Sequence, residues 1–392
     1  MSSMSFRASE LTLGLGLGLG YLTSFRFIGP IGISEILIFL SMIFMFLVNW
    51  KSLFQFPHSY AGILKGYILF VLFIQLPIIT LSVYFFTNLN SDPLYIISFI
   101  IGGILSFLIV ESLKKETLNM KNVTTFFFYV FVFTNIITVI LFPPNIDEGI
   151  RYKGLAENPN QLLFYAASLS LMLAIYHKKY LIFSLPIIFC IMTKTYSDGY
   201  TLTVFVTVIV YIFLYIVRLK KTSFTLQFSV YLLFALTVIG LALMLYSDEL
   251  ILVWLAADQG NTRTSLMANG IYVTFLSPIV GWGAGSFSGV TKPFYISEAH
   301  STPIDLSMQF GLPFAIIIYM VMFLFLVNRL RSKEYLQVAF IAAFIVSSFF
   351  HFTARHFTFW VEFSIFFYYV FYFKNSLIEK TTNSLPFKNL NS

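Results

Sequence analysis

Charge is scarce in this chain: Asp, Glu, Lys and Arg together supply 10% of its 392 residues. Cysteine occurs once, at Cys190, which rules out a disulfide within the chain. No H-E-x-x-H, paired-cysteine or EF-hand pattern is present, so no metal site is expected. A Walker A pattern is missing as well, which argues against ATP as an energy source. The formal charge of +7 is dispersed between apolar segments, so it does not describe a nucleic-acid surface. Acidic residues inside those segments are few, Glu35 and Glu362 being the clearest. An ion-coupled transporter normally needs a fuller intramembrane polar path.

Hydrocarbon is what the chain has in excess. It is 58% hydrophobic and 19% aromatic, with 48 Phe and a mean hydropathy of +0.85. A soluble protein of this length could not bury that much apolar surface. Apolar runs long enough to cross about 30 Å of hydrocarbon recur about twelve times. They fall near 11–27, 32–49, 67–86, 94–113, 124–142, 161–176, 180–193, 200–217, 228–246, 308–328, 335–351 and 358–373. The expectation is an all-α integral membrane protein, with residues 1–392 forming one polytopic domain. No A-x-A-like cleavage site follows the first run, so it reads as a retained helix. Its alternating glycines resemble a strand pattern, but a lone strand in lipid leaves its backbone unsatisfied. As a helix, Gly14/Gly18 and Gly16/Gly20 have the small-xxx-small spacing that favours close packing.

Lys and Arg concentrate on the cytoplasmic side of membrane proteins. With twelve spans and both termini inside, seventeen of the 24 Lys and Arg residues fall in inner segments and seven in outer ones. That places a short loop at 143–160 and a large polar loop at 247–305 outside. Outward cations run against this bias and ask for another reason to be there.

Four outer segments carry candidate chemistry. The first, 151–160 (RYKGLAENPN), holds Arg151 and Lys153, and its Asn160 can cap the next helix. Arg151 either offers its planar fork of donors to phosphate or pairs with Asp147, Glu148 or Glu157. The second runs from Arg263 to the glycine cluster Gly281, Gly283 and Gly285, where backbone can approach a ligand or simply turn. This cluster has neither the G-x-G-x-x-G spacing nor the βαβ setting of a dinucleotide site. The third includes Lys292 and His300; His suits proton transfer near neutral pH, or is merely solvated. Here Ser301 or Thr302 can cap a helix begun by Pro303. In the fourth, His351 and Arg355 share a face if the preceding helix continues; interfacial anchoring beside Phe357 and Trp360 is the plainer reading.

The order of these pieces resembles the O-antigen polymerase and ligase family of polytopic membrane glycosyltransferases, most closely the Wzy-type surface-polysaccharide polymerases. The resemblance rests on Arg151, Gly154, Pro159 and Asn160 before a span, and on Arg263 followed by Pro278, Gly281, Gly283 and Phe287. It continues through His300 and Ser301 to Gln309, Gly311 and Leu312. It covers about 145–330 by motif and the whole chain by topology. Two departures stand out. Residues 196–199 (YSDG) occupy a place where the family often has Ser-Arg, with Lys194 the nearest cation, and Gln309 stands where Glu is common.

The resemblance implies a GT-C-like fold in the bacterial inner membrane, with an active site on the periplasmic side. It implies a glycan donor on undecaprenyl pyrophosphate and a second lipid-linked repeat as acceptor, without nucleotide, metal or other cofactor. A chain-length regulator is a further implied partner. Arg151 and Arg263 would hold the pyrophosphate and stabilise its charge as it leaves. His300 would orient or deprotonate the acceptor hydroxyl. Asn160, Lys153, Lys292, Arg355 and the glycine cluster would line the substrate. A ligase acting on lipid A–core shares these motifs. A flippase or transporter would place its charges at mid-membrane instead.

Overall fold

The computed structural model describes residues 7–22, 26–28, 31–53, 55, 59–87, 89, 91–141, 156, 159–181, 184–188, 198–218, 258–295 and 297–373. They form a predominantly helical body: α1 (Ala8–Leu19), α2 (Ile33–Leu53), α3 (Tyr60–Phe70), α4 (Leu76–Phe86), α5 (Pro93–Lys114), α6 (Met120–Leu141), α7 (Pro159–Tyr176) and α8 (Asp198–Arg218). Then come α9 (Asp258–Leu276), α10 (Thr302–Phe310), α11 (Leu312–Arg331), α12 (Tyr335–Ser348) and α13 (Phe357–Phe371). A two-stranded antiparallel ladder, β1 (Arg26–Ile28) and β2 (Ile31–Gly32), joins α1 to α2.

Five described spans are long and apolar enough to cross a membrane, and five shorter apolar helices accompany them. Their outward faces carry large apolar side chains such as Leu47, Phe85 and Ile140, each about 70% exposed. Water would penalise such a belt and lipid does not, so the architecture is that of an all-α membrane protein. The expected span at 228–246, and half of that at 180–193, lie outside the described residues.

Three expectations need correction. The first helix covers 12 residues, Ala8–Leu19, rather than 11–27, and β1 and β2 pair within and just beyond the rest of that expected span. The stretch 247–305 is not one loop, because α9 forms 19 residues of it. The run expected as a single span at 308–328 breaks at Gly311 into α10 and α11. Gly311 has φ +88°, and a Cβ there would lie 2.0 Å from the Ile279 carbonyl oxygen. Only glycine fits this corner. Pro313, which has no N–H to give, then opens α11.

The glycines of α1 do what their spacing suggests. A Cβ on Gly14 would strike Phe126 of α6 at 2.5 Å, and one on Gly18 would strike Val130 at 2.7 Å. Gly16 faces Ile38 of α2 at 2.7 Å, so α1 is gripped from two sides. In the Tyr60–Phe86 span, Pro77 cannot donate an α-type bond to the turn before it. A π turn at Val71–Gln75 takes up the extra residue.

Polar contacts gather the helix ends into two poles. At one, Arg7 donates to the Glu116 carbonyl (2.9 Å), Asn49 to Ser112 (2.8 Å) and buried Lys65 to Glu111 (3.2 Å). Lys178 pairs with Glu334 there as well. At the other, the Ala284 amide donates to Thr80 (2.7 Å), the Asp92 amide to the Ala284 carbonyl (2.9 Å) and the Thr302 amide to the His351 carbonyl (3.1 Å). α5, for example, runs from Asp92 at the second pole to Glu111 and Ser112 at the first.

Candidate functional site

The second pole is organised around the start of α10. Asp305, in the first turn, is buried. One of its carboxyl oxygens accepts the Ala299 amide (2.9 Å) and the other the Ser301 amide (3.0 Å). His300 sits between those amides at φ +53°, a left-handed conformation that costs a non-glycine residue energy and persists only when its neighbours are held. Ser301, the residue before the helix, makes no side-chain cap, so the side-chain contact at the expected capping position runs from Asp305 backwards.

Two other segments lock onto this corner. The Thr302 hydroxyl meets the Thr353 hydroxyl (2.8 Å) and the His351 carbonyl (2.5 Å), and it accepts the Thr353 amide (2.8 Å). Arg355, on the same outer segment, places one guanidinium nitrogen 2.9 and 3.0 Å from the two oxygens of Glu298. α12 ends at Ser348, so His351 and Arg355 lie on an irregular loop rather than on a shared helical face. From the other side, α9 approaches through Gly270, where a Cβ would fall 2.7 Å from Ile304 and 3.0 Å from Ala299. Arg263, two turns earlier on α9, lies close enough for its charge to bear on His300.

The electrostatics follow from this layout. The His300 ring reaches the surface, yet the protein packed beneath it withdraws water and lowers its pKa from 6.5. Glu298 opposes that shift, while Arg355 and Arg263 add to it. The imidazole is thus neutral near pH 7 and able to accept a proton. Burial raises the Asp305 carboxyl from 3.8 to about 8, with Glu298 helping, against the two amides that favour its charged form.

The glycine cluster is placed beside α10, and its amides are already engaged. Those of Trp282 and Gly283 donate to the carbonyls of Met308 (2.7 Å) and Gln309 (3.0 Å), and that of Ala284 to Thr80. Gly281 and Gly283 have positive φ, and added Cβ atoms would meet the Gln309 carbonyl at 2.5 Å and the Thr80 backbone at 2.6 Å. Buried Gly285 bridges to Ser91. These glycines let a turn close onto α4 and α10. Gln75, from the π turn, donates to Val280 and Phe310 carbonyls, 3.0 Å each, and ties the turn to the membrane body.

Among the expected site residues, the structure brings together His300, Arg263 and Arg355. Lys292 is exposed, with its ammonium 5.5 Å from the Tyr295 ring centre. Arg151 and Lys153 lie outside the described residues. Asn160 falls in the first turn of α7, which begins at Pro159, so it stands inside the helix rather than at its cap. Sequence reasoning gave no role to Glu298 or Asp305, although Glu298 stands two residues before His300 and Asp305 one helical turn after Ser301. Gln309, which stands where the resembling family commonly has Glu, is buried and makes no side-chain hydrogen bond. No group of three or more His, Cys, Asp or Glu among the described residues is arranged to hold a metal ion. Comparison with protein-family models finds no match for this chain, and comparison with curated proteins finds none either.

Proposed function

We propose that the protein is a surface-polysaccharide polymerase of the O-antigen type. It would transfer a glycan from undecaprenyl pyrophosphate to the non-reducing end of another lipid-linked repeat. The observation that carries this reading is His300, held by Asp305 at a braced, left-handed corner where the charges of Arg263 and Arg355 bear on it. Glycosyl transfer from a lipid pyrophosphate needs those two capacities together: a base for the acceptor hydroxyl and cations for the departing diphosphate.

In the proposed reaction the acceptor hydroxyl attacks the anomeric carbon and passes its proton to the His300 imidazole. The bond from the anomeric carbon to the pyrophosphate oxygen breaks, and the diphosphate leaves with the bonding electrons. Arg263, together with Arg151, receives that charge. Glu298 keeps the Arg355 guanidinium in place beside the base. The proposal sets the enzyme in the bacterial inner membrane with its termini cytoplasmic and this pole periplasmic.

The test is a lipopolysaccharide gel from a deletion strain carrying wild type or Arg263→Ala at matched membrane levels. Core capped by a single repeat, with the ladder lost in Arg263→Ala, supports the polymerase. Bare core with long chains retained on the lipid carrier would make the enzyme a ligase. A full ladder with Arg263→Ala removes the central support.

A further inference from the structure

At the pole opposite His300, a cavity of about 480 Å³ opens between the ends of α1, α2 and α5. Its size is that of a small-molecule pocket. Its lining has two kinds of wall. Phe44, Leu47 and Val48 of α2 form one, and all three are among the side chains exposed on the apolar outer surface, where acyl chains run. Polar groups form the other, including Ser9, Asn49 and Ser112, with Arg7 also lining the cavity.

Two groups there have capacity to spare. The Arg7 guanidinium gives one nitrogen to the Glu116 carbonyl at 2.9 Å, and its fork holds further donors. It lies just before α1, whose first residues, Ala8 and Ser9, also line the cavity. At the start of α1 the Arg7 amide donates to the Glu10 carboxyl (3.4 Å) and the Glu10 amide to the Arg7 carbonyl (3.0 Å), which leaves the Ala8 and Ser9 amides, both at the cavity, to favour an anion. Asn49 is fully buried; its amide nitrogen donates to Ser112 at 2.8 Å, while its Oδ1 has no hydrogen-bond partner. A buried acceptor left unmatched costs free energy, so this atom asks for a donor from whatever fills the cavity.

We propose that this cavity binds one glycerophospholipid, with the phosphate on the Arg7 guanidinium and the Ala8 and Ser9 amides, and a head-group N–H or O–H on Asn49 Oδ1. The acyl chains then lie along Phe44, Leu47 and Val48. The polar wall selects a phosphodiester carrying a hydrogen-bond donor, as in phosphatidylethanolamine or phosphatidylglycerol, over phosphatidylcholine, whose head group has none. The site is remote from His300 and does not depend on the polymerase reading.

Native mass spectrometry of the full chain in detergent tests this, titrating phosphatidylethanolamine, phosphatidylglycerol, phosphatidylcholine and soluble glycerol phosphate separately. The two donor-bearing lipids should bind about tenfold tighter than phosphatidylcholine, the worth of one hydrogen bond. Arg7→Gln, at an exposed position, should weaken all three lipids by about tenfold or more, the worth of a charged contact. Asn49→Leu should abolish the preference among lipids and leave the phosphate contact. Equal binding of phosphatidylcholine and phosphatidylethanolamine to wild type overturns the proposal, as does unchanged lipid binding by Arg7→Gln. If glycerol phosphate binds as tightly as the lipids, the occupant is a soluble phosphate ester and the lipid assignment is wrong. Because Arg7→Gln removes no buried group, the test stands even where Asn49→Leu fails to fold.

Discussion

Asp305 holds the backbone on both sides of His300: its two carboxyl oxygens accept the amides of Ala299 and Ser301 at 2.9 and 3.0 Å. The histidine is thereby fixed in a conformation that its own side chain disfavours. The geometry makes Asp305 a positioning residue, since it touches the base only through the chain that carries it.

Asp305→Asn keeps one acceptor but turns an amino group toward the other backbone amide. One buried hydrogen bond is lost and a donor is left facing a donor, a cost of about 1–3 kcal/mol. The expected outcome is folded protein at near-normal membrane levels with a strongly shortened glycan ladder. A full-length ladder from Asp305→Asn would show that the brace is dispensable.

Asp305 also sets a sign for stability against pH. Unfolded, it titrates near 3.8, and folded at about 8. Between those values the folded state holds the extra proton, so the contribution of this group falls as pH rises through the window and levels off above it. Thermal melts of the purified protein at several values between about pH 5 and 8 should show a decline in wild type that is flatter in Asp305→Asn. Parallel curves for the two proteins would remove Asp305 as the source.

The neighbours of His300 move its titration in opposite directions. Glu298 raises the pKa of the ring and Arg355 lowers it. The acid limb of the rate profile should therefore shift to lower pH in Glu298→Gln and to higher pH in Arg355→Gln. Polymerisation by membranes containing each variant, followed across pH, reads this directly. A common shift in both variants would point to general damage rather than to charge acting on the base.

Gly311→Ala should abolish assembly. The methyl group would have to occupy space 2.0 Å from the Ile279 carbonyl oxygen, at a φ that alone costs roughly 1–3 kcal/mol. Loss of a monodisperse peak in detergent size-exclusion chromatography is expected. Ala268, exposed on α9, supplies the control: Ala268→Ser should leave the peak unchanged. A normal peak from Gly311→Ala would mean that the corner tolerates a side chain.

The sequence made the helical spans legible because lipid imposes one requirement on every crossing segment: enough consecutive apolar residues. Helix packing at α1 was legible too, since Gly14 and Gly18 recur at the period of one helix face. The break at Gly311 was hidden because apolar residues continue through it, and hydropathy does not register a backbone corner. The glycines at 281 and 283 read either as an approach to ligand or as a turn, because spacing cannot tell which group will take the amides there; the α10 carbonyls and Thr80 take them. Glu298 and Arg355 are far apart in the chain, and their pairing depends on two loops that only the tertiary fold brings together.

The glycine-lined α1 has a consequence for biosynthesis. Its 12 residues span about 18 Å as a helix, well short of the hydrocarbon thickness, so the nascent segment is poorly matched to the bilayer on its own. Its docking surfaces come from Ile38, then from Phe126 and Val130, and finally from Tyr165, 2.5 Å from where a Gly20 Cβ would lie. At the usual pace of translation the last of these emerges on the order of ten seconds after α1 itself. Until α6 and α7 arrive, α2 alone covers one side of α1, so the glycine faces that later meet Phe126, Val130 and Tyr165 stay open throughout the synthesis of those helices.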